Sequence, residues 1–325
     1  MLKQFLLFIS SLIVFIVSCS GNSGSGASAD GKIVLGFAQV GAESEYRTAN
    51  TKSIREAASN ANIELVFSDA QQKQENQIKA IRSFIARKVD VIAFSPVVES
   101  GFEAVMQEAK AANIPIIVTD RRAAVSSDDL YVAFIGSDFI EEGKKAANWL
   151  IEYMNKLGRG SEQLNIVELQ GTVGSSPAND RQKGFGEIIA QHPNYKIVRS
   201  QTGDFTRAKG KEVMEAFLKA EPKIDILFAH NDDMAIGAIQ AIEEAGKNPG
   251  KDIIIVSIDG VRGAFEAMMA GKLNCTIECN PLFGPLLMET IKKVAAGETV
   301  PREIFVEEGI FPAEVAAAEF PNRQY

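Results

Sequence analysis

The sequence predicts an α/β protein made of two Rossmann-like lobes, each with its own parallel sheet. Three observations carry this reading. Short apolar, β-branched runs alternate along the chain with amphipathic stretches. The runs are continuously apolar rather than alternating, as in strands buried on both faces. About ten such strands are too many for one small sheet, and 325 residues suit about two domains. Strict β-α-β order implies right-handed crossovers and a doubly wound sheet in each lobe.

The strands fall in order at IVLGFAQV from Ile33, IELVFSD from Ile63, VDVIAFSP from Val89, IPIIVTD from Ile114 and YVAFIGSD from Tyr131. They continue at LNIVELQG from Leu164, YKIVRSQ from Tyr195, ILFAHND from Ile226, DIIIVSIDG from Asp252 and CTIE from Cys275. The helices between them include NQIKAIRSFIARK from Asn76 and GFEAVMQEAKAAN from Gly101. Their apolar residues recur at i, i+3, i+4 and i+7, the stripe of a helix packed on a sheet.

Residues 1–18, MLKQFLLFISSLIVFIVS, lie before the fold. One Lys followed by an apolar stretch is a secretory leader. It ends at Ile16-Val17-Ser18-Cys19, which resembles the lipobox of bacterial lipoproteins, where the Cys becomes the lipidated N-terminus. Residues 19–31 then read as a flexible Gly/Ser tether, the spacer a lipid-anchored domain needs. The expected location is extracytoplasmic, on a bacterial membrane surface through a lipid on Cys19.

Composition excludes several classes. With 34 Lys+Arg against 42 Asp+Glu and a net charge of −8, the chain lacks the basic face that nucleic acid requires. Three Cys rule out a disulfide framework, and two His rule out a His-rich metal site. Cys275 and Cys279, at the ends of one strand, would stand roughly 13 Å apart at about 3.3 Å per residue, too far for a disulfide unless the chain bends. No GxGxxG follows the first strand, and GxxxxGK[ST] and GxSxG are absent, so no nucleotide cofactor or nucleophile elbow is indicated. His230 precedes Asn231-Asp232-Asp233, but neighbours on a strand point to opposite faces and cannot converge on a metal. It reads as a packing residue, as does Trp149. No metal and no cofactor are expected.

In open parallel sheets, ligands bind beyond the carboxyl ends of the strands. Those ends here carry Gln39, Asp69, Asp120-Arg121, Glu168, Gln170, Asn231-Asp232 and Asp259. Carboxylate, amide and guanidinium groups match a polyhydroxylated ligand, because each hydroxyl both donates and accepts. Asp232 and Asp233 also read as the start of a helix.

The segments GFAQVGAESEYR, DAQQKQENQIKAIRSF, TDRR, VELQGTVGSSPANDRQKGF, SQTGDFTRAKGKEVMEAF, AHNDDMAIGAIQAIEEAG and VSIDGV run from Gly36 to Val261. Together they resemble the periplasmic sugar-binding proteins of ABC importers, of the type I binding-protein fold, and within them the galactofuranose-binding branch. The resemblance implies two lobes joined by three crossing segments, with a monosaccharide held in the cleft. It implies ligand contacts at Glu43, Ser44, Glu45, Tyr46, Arg47, Asp120, Arg121, Arg181, Asn231 and Asp259. Where relatives have Trp, this chain has Tyr46, and where they have Gly it has Glu45. Tyr still stacks on a sugar ring, over less area. Asp120 and Asp259 are expected to accept from hydroxyls, Arg121 and Arg181 to donate in-plane pairs, Arg47 to close the first-lobe side, and Asn231 to do both.

The lobes are expected at 32–136 plus 261–280 and at 137–260 plus 281–325. The implied function is capture of a galactofuranose-like or galactose-like monosaccharide and delivery to an ABC permease with its ATPase. A sugar sensor presenting the closed form to a membrane receptor would read the same. A sugar-processing enzyme would need an acid and a base about one bond. A repressor of this fold would need a helix-turn-helix in place of the leader.

Overall fold

The computed structural model describes residues 31–325. The leader, Cys19 and the tether up to residue 30 lie outside the described residues. In chain order the elements are β1 (Val34–Gln39), α1 (Glu45–Asn60), β2 (Glu64–Asp69), α2 (Gln74–Arg87), β3 (Val91–Phe94), α3 (Glu103–Ala111), β4 (Ile116–Thr119) and β5 (Ala133–Gly136). Then follow α4 (Phe139–Lys156), β6 (Leu164–Gln170), α5 (Ser176–Ile189), β7 (Tyr195–Thr202), α6 (Arg207–Ala220), β8 (Ile226–Ala229) and α7 (Asp232–Glu244). The chain closes with β9 (Ile254–Asp259), α8 (Arg262–Met269), β10 (Cys275–Glu278), α9 (Gly284–Ala295), β11 (Glu303–Phe305), β12 (Ile310–Pro312) and α10 (Ala316–Glu319). Among the described residues no helix is long and apolar enough to cross a membrane.

Two six-stranded sheets result, ordered β11-β5-β4-β3-β1-β2 and β12-β10-β9-β8-β6-β7. All pairings are parallel except β10 with β12. The central strands β1, β3, β4, β5, β8 and β9 are buried along their whole length, while the edge strands β2 and β7 are half exposed. Continuous apolar runs therefore mark the sheet centres, as expected of strands covered on both faces. In the first lobe two cores flank the sheet: Phe94, Phe102 and Phe134 on one side, Leu35, Phe37 and Ile54 on the other. The second lobe's core is anchored by Phe185 stacked on Phe228, with centroids 4.0 Å apart.

All ten expected strands are present; β11 and β12 are additional. The expected lobe boundaries need correcting at the second crossing. Residues 261–280 belong to the second lobe, because β10 pairs in parallel with β9, from Cys275↔Val256 to Glu278↔Asp259. Helix α8 is the crossover between those strands and stays with their sheet. Residues 281–325 divide. Helix α9 buries Leu287, Met288 and Ile291 against the first lobe's core, Gly284 N–H donates to Ser53 Oγ at 3.1 Å, and β11 pairs with β5. Only the chain from β12 onward returns to the second lobe. The crossings thus lie at residues 137–138, 279–283 and 306–309.

Side chains from these crossings meet in one buried cluster. Ser137 Oγ donates to Glu308 and lies 3.4 Å from Cys279 Sγ. Asn280 N–H donates to Glu308 Oε1 at 3.2 Å. Glu142, on the first turn of α4, completes the group: one oxygen or sulfur from each of Glu142, Cys279 and Glu308 falls within 4.8 Å of the others. Arg181 supplies the positive charge, its Nε donating to Glu142 Oε2 at 2.7 Å. That ion pair needs α5 to lie close on α4. Glycines permit the approach: a Cβ on Gly184 would fall 2.0 Å from the carbonyl oxygen of Ile140, and one on Gly143 2.4 Å from that of Arg181.

Two outcomes follow from this packing. Gly184→Ala should destabilise the protein by about 1–3 kcal/mol through overpacking, read as a lower denaturation midpoint; an unchanged midpoint would show that the helices separate freely. Burial, and then the neighbouring Glu142 carboxylate, push the Glu308 carboxyl from 4.5 up to about 9. The folded state therefore prefers Glu308 protonated, and this contribution is complete below pH 4.5 and lost as pH rises through 9. Between pH 5 and 9 the melting temperature of the wild type should fall relative to that of Glu308→Gln. Parallel melting curves across that range would contradict the protonated cluster.

Candidate ligand-binding site

On the first lobe the site is built from the start of α1 and the ends of β1, β3 and β4. Ser44 caps α1, its hydroxyl accepting from Arg47 N–H at 3.1 Å. The cap directs the first turn across the strand ends, so the Arg47 side chain runs inward and is 2% exposed. Its guanidinium donates to Asp120 Oδ2 at 2.6 Å, to Glu43 Oε1 at 3.1 Å and to Gln39 Oε1 at 3.2 Å. Asp120 also accepts from Tyr46 Oη and Ser95 Oγ, each at 2.9 Å. Burial alone would raise the Asp120 carboxyl, but the charges of Arg47 and Arg121 and the bonds from Arg47 and Tyr46 hold it below the ordinary aspartate value. Arg121 donates to Val97 O at 3.1 Å and to Glu43 Oε1 at 3.3 Å.

The second lobe contributes Arg181, Asn231, Asp259 and Phe205. Arg181, held by Glu142, also donates to the carbonyl of His230 and lies 3.7 Å from Asp259 Oδ1. Asn231 caps α7, accepting from Met234 N–H at 3.0 Å and donating to Phe205 O at 3.2 Å. Asp232, just inside the helix, takes Gly260 N–H at 2.7 Å and Val261 N–H at 2.9 Å. It thereby fixes the loop that follows Asp259. Asp259 has φ +133 and Asp120 has φ +58, both in the region that side chains other than Gly rarely occupy. Such backbone strain is held in place by surrounding structure and concentrates at binding sites. Burial, reinforced by the carboxylates of Asp232, Asp233 and Glu142, raises the Asp259 carboxyl well above its ordinary value despite Arg181.

The lobes close on a cavity of about 20 Å³ lined by Glu43, Ser44, Tyr46, Arg47, Asp120, Arg121, Arg181, Asn231 and Asp259, with Phe139, Pro177, Phe205 and Cys279. That is about the room one water needs, so the lobes must part to admit a ligand. Nine of the ten expected residues therefore converge. Glu45 does not: its side chain turns to the rim and pairs with Arg207. The α-helix explains this, since successive residues are about 100° apart around the axis and a contiguous run cannot all face one cavity.

Other strand-end groups serve structure. The Asp69 side chain accepts from Gln71 N–H in an exposed turn. Glu168 is bonded to the buried His230 at 3.0 Å, which leaves His230 a packing residue. Trp149 stacks on Tyr153 with centroids 4.7 Å apart. Cys275 and Cys279 are free and buried. The aromatic lining was the least visible part in the sequence. Phe205 stands between the lobes' guanidiniums, 5.2 Å from that of Arg121 and 6.0 Å from that of Arg181. It gets there through successive left-handed residues, Asp204 and Phe205, with φ +52 and +61. The one signal for it was the short TGDF turn before a helix.

Two lining residues keep a buried carboxylate oxygen without a partner: Glu43 Oε2 from the first lobe and Asp259 Oδ2 from the second. Buried acceptors require donors. The site thus offers acceptors on both sides, guanidinium donors beside them, and the aromatic faces of Tyr46, Phe139 and Phe205.

The periplasmic binding protein domain family matches residues 35–299. The galactofuranose-binding protein YtfQ of Escherichia coli (strain K12) is 47% identical over 294 residues, covering 90% of this chain and 91% of that protein. A crystal structure from Mycobacterium smegmatis in complex with beta-D-fucofuranose is 55% identical, covers 90% of this chain and 95% of that one, and superposes with a TM-score of 0.88. The periplasmic binding protein component of the arabinose ABC transporter from Shewanella sp. ANA-3, bound to alpha- and beta-L-arabinofuranose, is 49% identical with a TM-score of 0.85, over 90% of this chain and 95% of that one.

Proposed function

The chain belongs to the periplasmic binding protein domain family, and from that premise we propose that it captures a monosaccharide in its furanose form for import. The observation that carries this reading is the pair of unpartnered carboxylate oxygens, Glu43 Oε2 and Asp259 Oδ2, one on each lobe of a cavity lined by three arginines. Ring hydroxyls donate to such oxygens and accept from the guanidiniums. Similarity to proteins holding fucofuranose and arabinofuranose supports a five-membered ring.

In this reading Asp259 and Glu43 accept hydroxyl protons. The free N–H groups of Arg121 and Arg181 donate. Tyr46 and Phe205 pack on the apolar ring edges. Asp120 acts chiefly by holding Arg47 and Tyr46 in place. The chain is a binder and not an enzyme: its relatives are named for binding and import. Ligand contacts drawn from both lobes favour the closed form, which is then the form a membrane permease accepts. Supporting an extracytoplasmic site of action are the family and the leader; we further propose that Cys19 carries a lipid anchor.

Three measurements test this. In a thermal-shift screen of the mature chain, L-arabinose, D-fucose or D-galactose should raise the melting temperature; no shift with any of them would sink the sugar reading. Asp259→Asn keeps the side chain's shape and removes its charge. It should weaken binding by about 10- to 100-fold, given roughly 1.5–3 kcal/mol for a charge-assisted hydrogen bond and 1.4 kcal/mol per tenfold. Calorimetry that finds wild-type affinity would show that Asp259 is structural. Cys19→Ala should move the protein from the membrane to the soluble fraction, and retention at the membrane would exclude the lipid.

A further inference from the structure

Outside the cavity the lobes touch at two rims. One is joined by weakly charged contacts: Glu99 N–H to Gly174 O at 2.9 Å, Asn179 to Glu99 at 2.9 Å, and Arg122 N–H to Ser176 Oγ at 2.8 Å. The other is an ion network. Glu45 N–H, in the first turn of α1, donates to Asp233 Oδ2 of the second lobe at 2.7 Å. Arg207 Nε donates to Asp233 Oδ1 at 2.6 Å, and its Nη2 bonds the Glu45 carboxylate. Glu45 Oε2 further accepts from Gly263 N–H on α8 at 3.4 Å. Neither Glu45, Arg207 nor Asp233 lines the cavity.

We infer that Glu45, Arg207 and Asp233 form a latch that sets ligand affinity by holding the lobes shut without touching the ligand. The geometry gives it two ways to act. The N-terminus of α1 has free N–H groups, and its own cap Ser44 satisfies that of Arg47. Asp233 supplies a carboxylate for another from the opposite lobe, where the helix dipole favours negative charge. Closure thus completes the capping of the turn that carries Tyr46 and Arg47 into the cavity. The Glu45–Arg207 pair then bridges α1 to α6 at the surface, with the two side chains 41% and 44% exposed, whereas Asp233 is 5% exposed.

These bonds between lobes exist only in the closed form. Their free energy therefore enters the open–closed equilibrium and multiplies the affinity for every ligand by one factor. A residue that touches the sugar changes affinity differently for different sugars. The network is half exposed, so salt also weakens it.

The inference rests on the sugar-binding reading above, and the test separates the two. Binding of L-arabinose and of D-fucose to the mature wild type, Glu45→Gln and Asp233→Asn is measured by calorimetry and stopped flow, with melting temperatures taken without sugar. Glu45→Gln should raise Kd by about 2- to 5-fold and Asp233→Asn by about 10-fold. The factor should be the same for both sugars and appear in the dissociation rate, with melting unchanged for Glu45→Gln; Asp233→Asn also loses its pair with Arg207 inside the second lobe and melts lower, with the factor still equal for both sugars. Variants that bind both sugars like the wild type, or whose loss differs between sugars, overturn the latch. A wild type that binds neither sugar overturns the reading of the site, and the latch with it.

Discussion

Charges removed from water must find partners, and most of the architecture follows from that constraint. Three arginines and four carboxylates, Arg47, Arg121, Arg181, Glu43, Asp120, Glu142 and Asp259, have side chains no more than 4% exposed. A lone buried charge costs several kcal/mol, and removing one member of a buried pair costs about 3–5 kcal/mol. Each arginine is accordingly paired inside its own lobe: Arg47 with Asp120 and Glu43, Arg121 with Glu43, Arg181 with Glu142. Each lobe can therefore stand open without a stranded cation. Among these carboxylates Glu142, at the hinge, keeps one oxygen unpartnered, and so do Glu43 and Asp259 in the cavity lining; at the latter two a polyhydroxylated ligand brings the donors.

The same constraint operates at the hinge. The three crossings bring Ser137, Cys279 and Glu308 together against Glu142 and Arg181. Arg181 balances Glu142, so a second ionised carboxylate beside it has no cation left. Glu308 resolves the conflict by keeping its proton. Arg181 thus belongs to two places at once, neutralising the hinge on one side and facing the cavity on the other. Close packing of α4 on α5 at Gly143 and Gly184 makes that double contact possible.

Much of this was legible in the sequence, for identifiable reasons. Continuous apolar runs report burial on both faces, so the central strands stood out. Asp120, Arg181 and Asp259 sit at strand ends or helix starts, where an open sheet gathers its ligand groups. Hidden features depended on geometry with no local signature. Nothing in the run from Val261 to Cys279 says which sheet accepts β10; that is decided by its ladder to β9. Glu45 belongs to a contiguous polar run, and only the helical turn sends it to the rim. Phe205 and Cys279 reach the cavity through backbone turns and a crossing, and neither residue type advertises that role.

The placement of Glu45 separates two properties that one cavity would otherwise have to set together. Groups lining the cavity must match the ligand's hydroxyls, so changing them to tune affinity also changes which sugar fits. Groups at the rim meet only one another. Tightening or loosening Glu45, Arg207 and Asp233 alters how long the lobes stay shut while leaving the shape and charge around the sugar untouched. A protein that must hold its ligand firmly and still release it needs that second control. The half-exposed Glu45–Arg207 pair stands where an approaching surface can reach it, whereas the ion pairs around the cavity cannot be reached until the lobes part.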